Sequence, residues 1–204
     1  MRLSFIGMSN IGKTYWSKRV AAENRVPRAD CDMLIETKLD AELSGKGLRG
    51  IRDVALWMGQ PGDPQYPETS ARYAAHEQTV MDTVLDELEA NPATPGIVDT
   101  TGSVIYVAPA TLARLRAATR VVYLEASDQH IDRLFRSYAA SPKPLIWGDC
   151  YAPRDGETPR DAMRRCYPLL LESRHSMYRQ LAHVTIPFAR HKNRSLDLLK
   201  DIFP

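Results

Sequence analysis

Cysteine is scarce in this 204-residue chain: Cys31, Cys150 and Cys166 form an odd set without the paired close spacing of a zinc site. That argues against a disulfide framework and suits reduced, structural thiols. A surplus of one charge is also lacking, with 27 Lys and Arg against 25 Asp and Glu and a formal charge of +2. Nucleic-acid binding needs a concentrated basic face, so no such partner is expected. No apolar run is long enough to cross a bilayer. The opening residues MRLSFI run straight into a glycine loop, without the apolar core and cleavage site of a signal peptide. The expectation is a cytoplasmic protein that meets no membrane, present as a monomer or small homo-oligomer. The five histidines (His76, His130, His175, His183, His191) are scattered without ligand spacing, so no histidine metal site is expected. Internal repeats and low-complexity tracts are absent as well.

What is present has the balance of one globular domain, 44% hydrophobic and 25% charged. Short apolar runs at 3–6, 26–29, 97–98, 121–124 and 184–187 alternate with helical periodicity over 13–24, 34–43, 70–90, 109–117, 128–139, 160–181 and 195–202. That alternation predicts an α/β fold with a five-stranded parallel sheet and helices on both faces. Two stretches rich in Gly and Pro interrupt it. Residues 45–67 are expected as a surface excursion near the substrate side, and 141–159 as a mobile lid or an ordinary exposed loop.

Gly7-Met8-Ser9-Asn10-Ile11-Gly12-Lys13-Thr14 fits G-x-x-x-x-G-K-[ST] without a mismatch, after an apolar strand and before a helix. Glycines let the main chain curl so that its N–H groups face a polyphosphate, and the positive helix end adds attraction. The expected nucleotide contacts are Gly7, Ser9, Asn10, Ile11, Gly12, Lys13 and Thr14, with Tyr15 following. Lys13 would reach the β- and γ-phosphates of ATP, and Thr14 would supply a hydroxyl to Mg2+. A second group of residues follows the second strand. In Asp30-Cys31-Asp32, alternation puts both carboxylates on one side, at the carboxyl end of a strand where ligands collect. One would hold magnesium, while the other, Asp32, would orient an attacking hydroxyl and accept its proton. The alternative is that either aspartate caps the helix that follows. Asp99, at the end of the third strand, is a further magnesium candidate or a turn residue.

Strand, P-loop, helix, strand and D-x-D followed by Ile35-Glu36 resembles shikimate kinase, a small P-loop kinase of the nucleoside monophosphate kinase-like group. The likeness continues through Ile97-Val98-Asp99-Thr100-Thr101-Gly102, Val121-Val122-Tyr123-Leu124-Glu125-Ala126-Ser127, Lys143-Pro144-Leu145-Ile146 and the run from Leu171 to Tyr178, which is similar to an R-x-x-x-Y signature. The resemblance implies a three-layer P-loop fold and transfer of the γ-phosphoryl of ATP to a hydroxyl of a small anionic metabolite, shikimate first. It also implies that Arg174 grips the acceptor carboxylate, with Gly102 lining the pocket and the adenine loop falling near Arg194. Arg133 and Arg136 precede the lid and are candidates to brace the nucleotide; Lys143, Arg154 and Arg160 are candidate lid cations. The chain departs from the family where F-R-x-x-E reads Tyr73-Ala74-Ala75-His76-Glu77, leaving Arg72 as the substitute arginine. It departs again where a triple glycine reads Thr101-Gly102-Ser103. These departures leave open a kinase of another sugar acid, a nucleoside or a nucleotide, and also a regulatory module that binds nucleotide without transfer.

Overall fold

The computed structural model describes residues 1–127, 131–193 and 197–203, with main chain alone for Ile131 and Asp132. Its centre is a parallel sheet of five strands: β1 (Arg2–Ile6), β2 (Arg28–Asp30), β3 (Gly96–Asp99), β4 (Arg120–Leu124) and β5 (Val184–Ile186), in the order β2-β3-β1-β4-β5. Leu3, Phe5 and Ile6 are fully buried, as are Val121, Val122 and Leu124, the continuous apolar pattern of strands covered on both faces. The helices that flank the sheet are α1 (Lys13–Asn24), α2 (Cys31–Ser44), α3 (Gly50–Met58), α4 (Tyr66–Ala90), α5 (Pro109–Ala118), α6 (Ile131–Ala140), α7 (Pro159–Leu181) and the short α8 (Phe188–His191) and α9 (Leu198–Ile202). The expected starts of α6 at Asp128 and α9 at Ser195 lie outside the described residues.

Register decides which residues meet. Phe5 pairs with Asp99, and Asp99 with Asp30, so the carboxyl ends of β1, β3 and β2 finish side by side. The loop that follows β1 therefore opens beside both acidic strand ends. α1 packs on β3, β2 and β1, and Trp16 on its inner face donates an indole hydrogen bond of 3.1 Å to the His191 carbonyl.

Three expectations change. The second strand starts at Arg28 rather than Val26, because Val26 N–H is spent on the Ala21 carbonyl at the end of α1 and Pro27 has no N–H to give. The segment 45–67 is no plain excursion: it contains α3, which buries Val54, Trp57 and Met58 against the core. Gly50 and Gly59, at positive φ of 83° and 79°, bracket α3, so the glycines that suggested a loop are its punctuation. The expected lid, 141–159, divides in two. Leu145 and Trp147 are buried, and Tyr66 donates to the Leu145 carbonyl at 2.8 Å while accepting from Trp147 N–H at 3.0 Å. Trp147 also meets Tyr138, Tyr151 and Tyr167 edge-on. Exposed chain begins beyond this root, from Ala152 to Arg154.

Trp147→Ala should therefore behave as a core deletion rather than a loop change, costing about 3–5 kcal/mol. Urea denaturation checks this; a loss under 1 kcal/mol would mean that the root is not packed as described.

Candidate active site

The loop of residues 7–14 curls through left-handed conformations at Gly7 (φ 137°), Asn10 (φ 64°) and Gly12 (φ 110°). At Gly7 a Cβ would stand 2.7 Å from the Leu124 carbonyl oxygen, so no side chain fits there. Lys13 is buried at the first position of α1, and its ammonium donates to the carbonyls of Gly7 (2.8 Å) and Met8 (3.1 Å). Burial lowers its pKa to about 8, against the opposing pull of Asp32 and Asp99. Thr14 follows, half-buried, and Tyr15 stands 39% exposed in the same turn with its ring against Trp16.

The two aspartates of β2 and α2 separate in role. Asp30 caps α2, its Oδ1 accepting from Met33 N–H at 3.2 Å, and its Oδ2 pairs with Arg28 at 2.6 Å. With both oxygens committed, Asp30 does not serve as the expected magnesium ligand; the capping alternative describes it. Arg28 also reaches Asp99 Oδ2 at 2.9 Å. Asp99 is buried, its Oδ1 has no hydrogen-bond partner, and burial raises its carboxyl while the Lys13 ammonium holds it back. The hydroxyls of Ser17 and Thr14 act on it as well. Thr14 and Asp99 thus supply hard oxygen donors of the kind Mg2+ takes. Among the described residues no group of three or more His, Cys, Asp or Glu could hold a metal ion. Asp32 sits in the first turn of α2. Burial raises its carboxyl, with Lys13 and then Lys143 opposing. The charge of Lys143 is thus felt at both Asp32 and Lys13.

Arg174 of α7, expected as the acceptor arginine, lies beside the phosphate loop. Its guanidinium is fully buried and donates to the carbonyls of Gly102 (2.7 Å) and Ile146. It also lies 5.1 Å from the centre of the Tyr106 ring, and its Nε has no partner. Gly102 is wedged between this arginine and the phosphate loop: a Cβ there would lie 2.8 Å from Ser9 Oγ and 3.6 Å from an Arg174 nitrogen. Arg72, expected as a second acceptor arginine, instead pairs with Glu42 (2.6 Å) and Glu68 on a 41%-exposed side chain. Its helix turn faces α2 and solvent rather than the crevice. Sequence reasoning missed Arg28 and Glu77. Glu77 was in view as the end of the altered F-R-x-x-E stretch. It is buried, hydrogen-bonded by the Thr101 hydroxyl, and burial pushes its carboxyl up to about 8.

On the opposite side of the loop, a cavity of about 490 Å³ is lined by Asn10, Ile11, Arg133, Phe188, Lys192 and Asn193, among others. Arg133 takes the position that Arg136 was expected to share; Arg136 is exposed and does not line the cavity. Arg194 lies outside the described residues. No described helix is long and apolar enough to cross a membrane.

A parallel α/β sheet with this loop at the end of its central strand defines a P-loop protein. No protein-family model matches the chain. A curated shikimate kinase of Paracidovorax citrulli (strain AAC00-1) is 28% identical over 193 residues, covering 95% of this chain and 85% of that one. Among solved structures, the chain is similar to a shikimate kinase from Acinetobacter baumannii in complex with shikimate, with a TM-score of 0.58, 22% identity and coverage of 91% and 82%. It is also similar to a shikimate kinase from Bacteroides thetaiotaomicron, with a TM-score of 0.61, 16% identity and coverage of 99% and 94%. The chain is similar to shikimate kinases and shares their P-loop fold.

Glu77 yields a prediction about stability. Its folded pKa of about 8 lies above the ordinary glutamate value of 4.5, so between these pH values the folded state holds a proton that the unfolded state releases, and stability falls as pH rises. The thermal midpoint should drop less from pH 5 to pH 8 in Glu77→Gln than in the wild type; parallel profiles would show that Glu77 ionises normally.

Proposed function

We propose that the chain is an ATP-dependent kinase that transfers the γ-phosphoryl group to a hydroxyl of a small carboxylate metabolite, with shikimate as the leading acceptor. The observation that carries this reading is the buried Arg174, held by carbonyls, with an unpartnered Nε and a nitrogen 3.9 Å from Met8 Sδ of the phosphate loop. An uncompensated guanidinium in the interior is costly. An acceptor carboxylate would neutralise it and would point the acceptor's hydroxyl toward the loop.

In this reading the amides of residues 7–14 and the Lys13 ammonium take the triphosphate, exchanging the carbonyls of Gly7 and Met8 for phosphate oxygens. Thr14 and Asp99 would hold Mg2+, which supplies charge neutralisation on the phosphates when bound. Asp32 accepts the proton of the acceptor hydroxyl as it attacks, its basicity raised by burial and restrained by Lys13 and Lys143. Lys143 adds positive charge near the transferred group. Arg133 and the loop around Phe188 border the space for the base. The surface pairing of Arg72 leaves Arg174 as the acceptor cation. This favours a monocarboxylate, shikimate or another sugar acid, over a nucleotide with its doubly charged phosphate.

Coupled ADP release against a panel of shikimate, gluconate, nucleosides and nucleoside monophosphates tests the reading. Tight ATP binding with no acceptor-dependent ADP release would instead support a regulatory nucleotide-binding module. With a working acceptor, Asp32→Asn should lower kcat by about 10²–10⁴ with ATP affinity retained; wild-type kcat would remove Asp32 from the mechanism. The pKa of about 8 at Lys13 makes a further demand. Its protonated form binds phosphate, so the apparent Kd for ATP should be level below that pH and rise about tenfold per pH unit above it. Calorimetry from pH 7 to pH 9.5 checks this, and a level profile would place the Lys13 pKa higher.

A further inference from the structure

A buried arginine that is to receive an anion has to be reached, and Arg174 is 0% exposed. The groups that close it in can be named. Its nitrogens meet the carbonyls of Gly102 and Ile146 and, at 3.9 Å, the sulfur of Met8, while the Tyr178 hydroxyl shares the Gly102 carbonyl with it. A further contact is the Tyr106 ring, whose centre lies 5.1 Å from the guanidinium carbon. Both carbonyls belong to main chain set between buried neighbours, Thr101 and Ser103 at the first and Leu145 and Trp147 at the second, and the side chains of Met8 and Tyr178 are themselves buried. Tyr106 differs. It is 38% exposed, so the side chain that touches the arginine also meets water.

Local structure lets this ring move while its main chain stays. Val104–Tyr106 form a single 3₁₀ turn, in which Tyr106 N–H donates to the Ser103 carbonyl at 2.8 Å and Val107 N–H to the Val104 carbonyl at 3.2 Å. Ile105 and Val107 on either side are buried. The Cα of Tyr106 is thus anchored, and a change of rotamer, rapid for an exposed side chain, is enough to lift the ring.

We propose that Tyr106 is the gate of the acceptor site: its ring covers Arg174 in the empty chain and turns aside when the anion of an acceptor reaches the guanidinium. The inference rests on the kinase reading for the identity of the acceptor, whereas the cover over Arg174 belongs to the chain alone. An aromatic ring attracts a cation through its quadrupole and brings no counter-charge. A carboxylate brings a full charge and an acceptor for the unpartnered Nε, so it gains more than the ring gives up. The cover raises the dissociation constant of every anion alike. Weakly held anions such as inorganic phosphate are thereby kept off Arg174, while an acceptor with further contacts still occupies the site.

Phenylglyoxal, which modifies accessible arginines, tests the cover on the ligand-free chain, with peptide mass spectrometry as the readout. Arg174 should react slowly in the wild type and in Tyr106→Phe and several-fold faster in Tyr106→Ala. Exposed Arg154 should react alike throughout, and Arg28, largely buried and paired with two carboxylates, should stay slow. A rise at Arg28 as well would mark an unfolded variant, and Tyr106→Val, which keeps a packed Cβ without a ring, then takes its place. Arg174 that reacts as fast as Arg154 in the wild type, or that stays slow in the folded ringless variant, overturns the proposal. KM for the phosphorylated acid should be about two- to thirtyfold lower in Tyr106→Ala than in Tyr106→Phe; an equal or higher KM overturns it too. If Arg174 is uncovered as described, but neither shikimate nor gluconate is phosphorylated or slows its modification, the kinase reading fails and the cover stands.

Discussion

Buried positive charge without a matching carboxylate is the condition on which the site depends. Lys13 and Arg174 are both withdrawn from water and both satisfied by main-chain carbonyls of loops, the first by Gly7 and Met8, the second by Gly102 and Ile146. Carbonyl dipoles hold a cation in place without cancelling its charge. The two loops are themselves in contact, because Gly102 has no side chain to keep Ser9 away. The two buried cations are thus held by loops that meet at one glycine, with Arg174 also touching Met8 of the first loop.

The acidic side of the crevice is arranged by a residue of no evident role in the sequence. Arg28 lies two residues before Asp30 on an edge strand, and parallel register carries Asp99 to the same point, so one guanidinium engages both carboxylates. That contact uses one oxygen of Asp99 and leaves the other buried and unpartnered. It also turns Asp30 into a structural cap. The crevice retains Asp32 as the carboxylate nearest the loop lysine in charge terms, with Asp99 behind it, and the two differ in function because their neighbours differ.

The segment after α6 shows how packing can overrule composition. Its prolines and glycine suggest a free lid, yet Trp147 and Leu145 are drawn into an aromatic cluster and tied by the Tyr66 hydroxyl. Ile146 between them presents its carbonyl to Arg174. Arg174 is thereby tied by one hydrogen bond to the packed segment around Trp147.

While the arginine of α7 stood out only through the resemblance to shikimate kinase, the amino-acid sequence by itself determined the phosphate loop, the α/β alternation and the five strands. Each of these is written in local pattern: glycine spacing, apolar runs and helical periodicity act over a few residues, and their physical meaning does not wait for distant partners. The tertiary structure alone decided which charges are spent and which are available. Asp30 and Arg72 read as functional in sequence because their residue types suit the chemistry. They are committed elsewhere because Arg28, two residues away on the same face of β2, pairs with the first, and helix packing brings Glu42 to the second. Arg28 and Glu77 stand out for the converse reason: burial and long-range contacts set their surroundings, which residue type and spacing alone do not show.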